Sequence, residues 1–282
     1  RLVSKEQLSE ALAFISSINN TISLGGKAVG VFVLELLSYN YSYFGMLNAA
    51  LFLIAFLILA KYKNAMKAEI GSFKVKNTEK VSTKRFLKDT IENFKILREI
   101  KKIYNFVILF LGMNFYSSAM FALLLVILVK NDSLLFGNVA YTITLLEIVE
   151  VVSTIVGGVY QISFYKNMSL RNNAILEIIL FIMYVGNLLI LQNKFILVIL
   201  TVIIGYFAGI SNPKLDALIL QSVPEEKQTS IYSIFSTVIT ISVPIGTTII
   251  LFFANAISAS FALYSLLLLL VTVLIYSFKV EQ

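Results

Sequence analysis

Leu2-Val-Ser-Lys-Glu-Gln-Leu-Ser-Glu-Ala-Leu-Ala-Phe-Ile-Ser-Ser17 and Ser222-Val-Pro-Glu-Glu-Lys-Gln-Thr-Ser-Ile-Tyr-Ser-Ile-Phe-Ser-Thr237 are two versions of one element. Val3 aligns with Val223, Glu6 with Glu226, Ser16 with Ser236 and, further on, Gly26 with Gly246. Each is a short charged connector that leads into a long apolar helix with a glycine near its middle. Both stand at the same place relative to neighbouring apolar stretches. A repeat of that length in so apolar a chain is the pattern of a membrane transporter assembled from two related halves.

Composition narrows the class further. Of 282 residues, 58% are hydrophobic and only 14% charged, with a mean hydropathy of +0.86. A soluble domain of this size needs more polar surface than that. The chain has no Cys and no His. Disulfides, thiol or imidazole nucleophiles and the common zinc sites are therefore excluded, and any proton relay falls to carboxylates. The formal charge of +7 is not a nucleic-acid footprint, because 13 of the 23 Lys and Arg lie between Lys61 and Lys102. A basic loop between membrane spans is the usual mark of a cytoplasmic loop.

A membrane-spanning helix needs roughly 20 mostly apolar residues. Eight such spans are expected, at 11–37, 43–60, 104–129, 138–163, 174–191, 195–220, 230–254 and 259–278. The long connector 61–103 ends in an amphipathic pattern. Leu87, Ile91, Phe94, Leu97 and Ile100 recur at helical spacing with Lys84, Arg85, Lys88, Lys95 and Lys102 between them. Such a helix either lies on anionic head groups or packs beneath the bundle. Placing this connector in the cytoplasm puts Arg1, Lys5, Lys166, Arg171, Lys227 and Lys279 on the same side, and only Lys130 and Lys194 outside. The expected location is thus the cell membrane, multi-pass, with both ends of the chain cytoplasmic.

In order and spacing the chain resembles the major facilitator superfamily, and within it the macrolide-efflux-like drug exporters. Val3-Ser-Lys-Glu-Gln-Leu and Val223-Pro-Glu-Glu-Lys-Gln are similar to that family's cytoplasmic connectors before its fifth and eleventh helices. The basic run from Lys84 to Lys102 resembles the end of its central loop. Gly205-Tyr-Phe-Ala-Gly-Ile-Ser-Asn-Pro213 resembles its tenth helix, and Pro244-Ile-Gly246 the break in its eleventh. The resemblance implies an all-α integral membrane fold of about eight transmembrane helices: the last two helices of an N-terminal half and a complete six-helix C-terminal half. The domains would be 1–60 (two transmembrane helices), 61–103 (the basic loop) and 104–282 (the C-terminal half), with four further helices expected in a full-length protein. Gly26-Lys27-Ala28-Val29-Gly30 stands where exporters of this family carry a Gly-Pro antiporter motif. Its glycines are of the kind that allow close helix packing, but a lysine replaces the proline.

Ionisable residues inside a membrane are costly and mark function by default. Lys27 and Glu147 each fall about ten residues from the outer end of a span, roughly 15 Å deep at 1.5 Å per residue. In the family the two helices concerned are neighbours. The resemblance therefore implies that Lys27 pairs with Glu147 or Glu150, either as a moving coupling element or as a static tie. Glu147 and Glu150 share one helix face. Asn19, Asn20, Asn114, Tyr116 and Asn212 are cavity candidates, although spanning asparagines equally serve as interhelical hydrogen bonds. Gly26, Gly30, Pro213, Pro244 and Gly246 are candidates for helix breaks and close packing. Lys214 and Asp216 are expected to snorkel to an interface, and Glu177 and Glu35 to lie near one.

No catalytic residue, metal site or cofactor is expected, and the chain does not read as an enzyme. The function implied is secondary active export of a small amphiphilic compound by alternating access, coupled to protons. The partners would be the lipid bilayer and a small-molecule substrate, with no nucleic acid. A non-transporting remnant or immunity-type membrane protein is the other reading of the same chain.

Overall fold

The computed structural model describes residues 8–37, 40–70, 95 and 97–280. Among them there is helix and no strand. The helices are α1 (Leu8–Leu36), α2 (Tyr41–Ile70), α3 (Lys101–Lys130), α4 (Val139–Val159), the short α5 (Ser163–Lys166), α6 (Leu170–Gly186), α7 (Lys194–Ser222), α8 (Glu225–Ala256) and α9 (Ala259–Ser277). A 3-10 turn, Asp132–Leu134, follows α3, and a π turn, Asn187–Leu191, continues α6. Seven stretches are long and apolar enough to cross a membrane: one in each of α2, α3, α4, α7, α8 and α9, and Leu170–Leu191. That is the build of a multi-pass membrane protein. α1 is not among the seven; Asn19, Asn20, Lys27 and Glu35 dilute its apolar character.

Helix ends follow local capping rather than the limits of the apolar runs. Asn138 accepts from Tyr141 N at 2.8 Å and starts α4, while Asn193 accepts from Phe195 N at 2.9 Å and starts α7. Ser258 caps α9 in the same way. Ser169 accepts from Asn172 N at 3.3 Å, so α6 begins at Leu170, four residues before the expected span. α2 runs on to Ile70, past the expected end at 60, because Lys61 to Ile70 holds several good helix formers and neither Gly nor Pro. The amphipathic segment expected over 84–103 lies mostly outside the described residues. Within it, residues 97–99 are helical and Leu97 is fully buried.

The chain divides into two compact units. One holds α1 from Ile22 onward together with α2. In the stretch Tyr41–Tyr62 no residue is buried, which suits a helix whose surface faces hydrocarbon. The other unit holds the start of α1 and everything from α3 to α9. Its most extensive contacts are between α4 and α7 and between α3 and α8, while α6 and α9 bridge these two pairs. α3 touches α4 and α7 only sparsely.

Glycines make the α4–α7 seam. A Cβ on Gly209 would collide with the Thr154 carbonyl, and one on Gly157 with the Tyr206 carbonyl. A Cβ on Gly205 would stand 2.7 Å from the Glu150 carbonyl oxygen. Backbone therefore lies on backbone, the small-residue packing typical of membrane helices. Pro213 removes one intrahelical bond and would free the Gly209 carbonyl, yet α7 stays continuous through it, as α8 does through Pro244. Neither proline interrupts its helix, so the breaks expected there are absent. Gly246 packs as expected, since its Cβ would lie 2.8 Å from the Phe115 carbonyl oxygen on α3. The close packing expected at Gly26 and Gly30 is not seen: no described atom lies within 4 Å of a Cβ on Gly26, and Gly30 meets only Phe44 at 4.0 Å.

Candidate functional site

Where α3 parts from α4 and α7, the larger unit has a cleft. Helical spacing brings one face of each helix to it. α3 supplies Tyr116, Ser117, Met120, Phe121 and Leu124; α4 supplies Ile143, Leu146, Glu147 and Glu150. Phe181 and Tyr184 of α6 and Thr201 and Ile204 of α7 close it. Tyr116 is 1% exposed, stacks on Phe181 with ring centroids 4.6 Å apart and donates its hydroxyl to the Phe181 carbonyl at 3.4 Å. Tyr184 lines the cleft together with Thr201 and Glu150. Glu147 is half-buried and Glu150 exposed, and both line the cleft. The cavity measures about 90 Å³. That is below the roughly 300–1,000 Å³ of a drug-sized site, so a larger occupant requires the helix pairs to part.

The sequence candidates divide. Tyr116, Glu147 and Glu150 meet in the cleft. Asn114 does not line it: its amide donates to the Ile239 carbonyl and to Ser242 Oγ, both at 3.0 Å, and ties α3 to α8. Asn212 is exposed on α7 and takes no part in the cleft, because its neighbours Ser211 and Pro213 occupy the buried side of the helix. Asn19 is exposed on α1. The side chains of Asn20 and Lys27 lie outside the described residues, and so does the expected Lys27 pairing. Phe181, Tyr184 and Thr201 were not singled out from sequence. An aromatic residue, a tyrosine and a threonine in apolar helices carry no signal until helix register turns them to one space.

The basic residues at helix ends have specific partners. The Lys214 ammonium donates to the carbonyls of Tyr165, Lys166 and Met168 at 3.1, 2.9 and 2.9 Å. Tyr206 Oη accepts from Ile162 N at 3.0 Å and donates to the Tyr160 carbonyl at 3.3 Å. The connector between α4 and α6 is thereby held down on α7. Lys194 donates to the Leu135 carbonyl at 3.1 Å and lies over the Phe136 ring at 5.2 Å.

A second polar group lies apart from the cleft. Glu177 is 3% exposed and stands about two turns inside α6. Asn173, one turn before it, and Ser211 on α7 are fully buried.

Comparison with protein-family models, with curated proteins and with solved structures finds no match to this chain. The class therefore rests on the molecule itself: an all-helical, multi-pass membrane protein with a carboxylate-bearing cleft between two tightly packed helix pairs.

Proposed function

We propose that the protein is a secondary active transporter of the major facilitator type that exports a small amphiphilic compound by alternating access, with protons as the coupling ion. The observation that carries this reading is the cleft, where two carboxylates, two tyrosines and two phenylalanines face one space. Aromatic and apolar walls suit a flat hydrophobic body, and Glu147 with Glu150 suit a cationic group on it. The preferred substrate class is accordingly an aromatic cation. The sparse contact of α3 with α4 and α7 is where two rigid pairs would move apart to admit it.

Efflux of ethidium and rhodamine 6G from proteoliposomes carrying the full chain tests the reading. The wild type is expected to move at least one of the dyes under an imposed proton gradient. The double change Glu147→Gln, Glu150→Gln should slow that movement by about tenfold or more, the scale of one lost charge contact of about 1.4 kcal/mol. Failure to move either dye, or movement indifferent to both changes, sinks the proposal.

A further inference from the structure

The connector from Tyr160 to Ser169 joins the ends of two membrane spans, α4 and α6. It therefore lies at a boundary between hydrocarbon and water. Its backbone is fixed on α7 by the Lys214 ammonium and by Tyr206. Tyr165 turns inward, with its ring centroid 5.0 Å from that of Phe207. The side chains around it point the other way: Val159, Tyr160, Ile162 and Phe164 are 50–72% exposed. An exposed apolar patch of this kind marks an interaction surface, and at a membrane boundary it suits lipid. Beside the patch is a cavity of about 390 Å³, lined by Phe14 of α1 and by Gly158, Val159, Tyr160, Gln161 and Lys166. Its lining joins apolar and aromatic surface to one amide and one ammonium. From Val151 to Leu176 the chain has Lys166 and Arg171 but no Asp or Glu. Arg171 is turned to the Val280 carbonyl, so Lys166 is the cation at the cavity.

We infer that this cavity and the connector beside it bind an anionic phospholipid, with the headgroup phosphate at Lys166 and the upper acyl chain against Phe14 and Val159. Charge selects the headgroup. A connector with basic residues and no acid attracts a net negative lipid. A zwitterionic headgroup brings its own cation, which Lys166 repels. The apolar lining selects a lipid over a free phosphate. One exposed ammonium is screened by salt and holds a soluble anion weakly. An acyl chain adds the burial of apolar surface on both partners. The fixed backbone matters too, because the side chains that meet the lipid are already held outward and need no reordering on binding. The site is separate from the cleft and does not rest on the transport reading, because lipid contact is measured rather than efflux.

The chain has no Trp, so Tyr160→Trp places a single fluorescent reporter at the site. The full chain with this change is reconstituted into phosphatidylcholine vesicles containing increasing phosphatidylglycerol brominated in its acyl chains, and into phosphatidylglycerol vesicles containing brominated phosphatidylcholine. Bromine quenches the reporter on contact, so the two curves give the relative affinity of the lipids there. Phosphatidylglycerol should be favoured by about fivefold, the scale of one lysine near an anionic surface. Lys166→Gln should bring the ratio to about one, and Lys166→Arg should keep it. Leu268→Trp, made with Tyr160 intact, stands exposed in the middle of the uncharged α9 and reports ordinary lipid contact. Its ratio should be near one. Glycerol 3-phosphate, which has the charge without the tails, should leave the ratio at Tyr160→Trp unchanged. A ratio near one at that position, a preference that survives Lys166→Gln, an equal preference at Leu268→Trp, or displacement by glycerol 3-phosphate overturns the inference.

Discussion

α4 and α6 each carry a carboxylate-bearing face toward α7, and the two faces are built in opposite ways. On α4, Glu147 and Glu150 border an open cleft with aromatic and hydroxyl side chains opposite. On α6, Glu177 is sealed between helices with Asn173 and Ser211. The residue type is the same and so is the facing helix. Access differs, and access decides what a carboxylate can do. One that borders space can exchange occupants without repacking protein. One enclosed by protein holds its neutralising partner as part of the structure.

The largest expected effect removes what both faces share. Gly209→Val places side-chain atoms where the Thr154 carbonyl now stands. The contact is backbone, which cannot swing aside, so the cost exceeds the roughly 1–3 kcal/mol of ordinary overpacking. Loss of monodisperse protein by size-exclusion chromatography is the expected result. Gly26→Val, with no described atom within 4 Å of its Cβ, is the contrasting change and should leave the protein folded.

Next comes a direct contrast of the two faces. Glu177→Ala empties a buried position beside the fully buried Asn173 and Ser211, at about 1–3 kcal/mol. Glu147→Ala removes a half-buried carboxylate that lines the cleft and should cost less than Glu177→Ala. Chemical denaturation of both proteins in the same detergent checks this. Equal losses would erase the distinction between a sealed and an open carboxylate.

These contrasts bear on what the sequence disclosed. The apolar runs located the helices, because about 20 residues of hydrocarbon-compatible chain can only be helix in a membrane. They located the ends poorly where polar residues cap: Ser169 starts α6 before its apolar run, and the burial of Glu177 is set by packing against other helices, which an apolar run does not disclose. Glu147, Glu150 and Tyr116 were legible because ionisable and aromatic groups stand out in an apolar helix. The glycine seam was less so. Gly205 and Gly209 are four apart, as are Ser153 and Gly157, yet the spacing does not say which helix a small-residue face meets. The repeat drew notice to Gly26 and Gly246, of which only Gly246 proves tightly packed.

A smaller effect is expected where α3 meets α8, outside the cleft. Asn114→Ala removes two bonds from α3 to α8 but leaves the α6–α7 contact untouched. Interhelical bonds of this kind are worth about 0.6–2 kcal/mol. Tm should fall by a few degrees; an unchanged Tm would show that these two bonds do not hold α3 on α8.

The smallest effect separates structure from use within the cleft itself. Tyr116 is buried, but its hydrogen bond to the Phe181 carbonyl is long at 3.4 Å. Most of its contribution is the ring stacked on Phe181, which Tyr116→Phe keeps. Stability should therefore change by about 0.5 kcal/mol or less. If the cleft holds an amphiphile, the lost hydroxyl is felt by the occupant: the apparent KM for dye efflux rises while Tm does not move. A fall in Tm with unchanged KM would assign Tyr116 to packing alone, and the open face of α4 would then lose its aromatic counterpart as a binding wall.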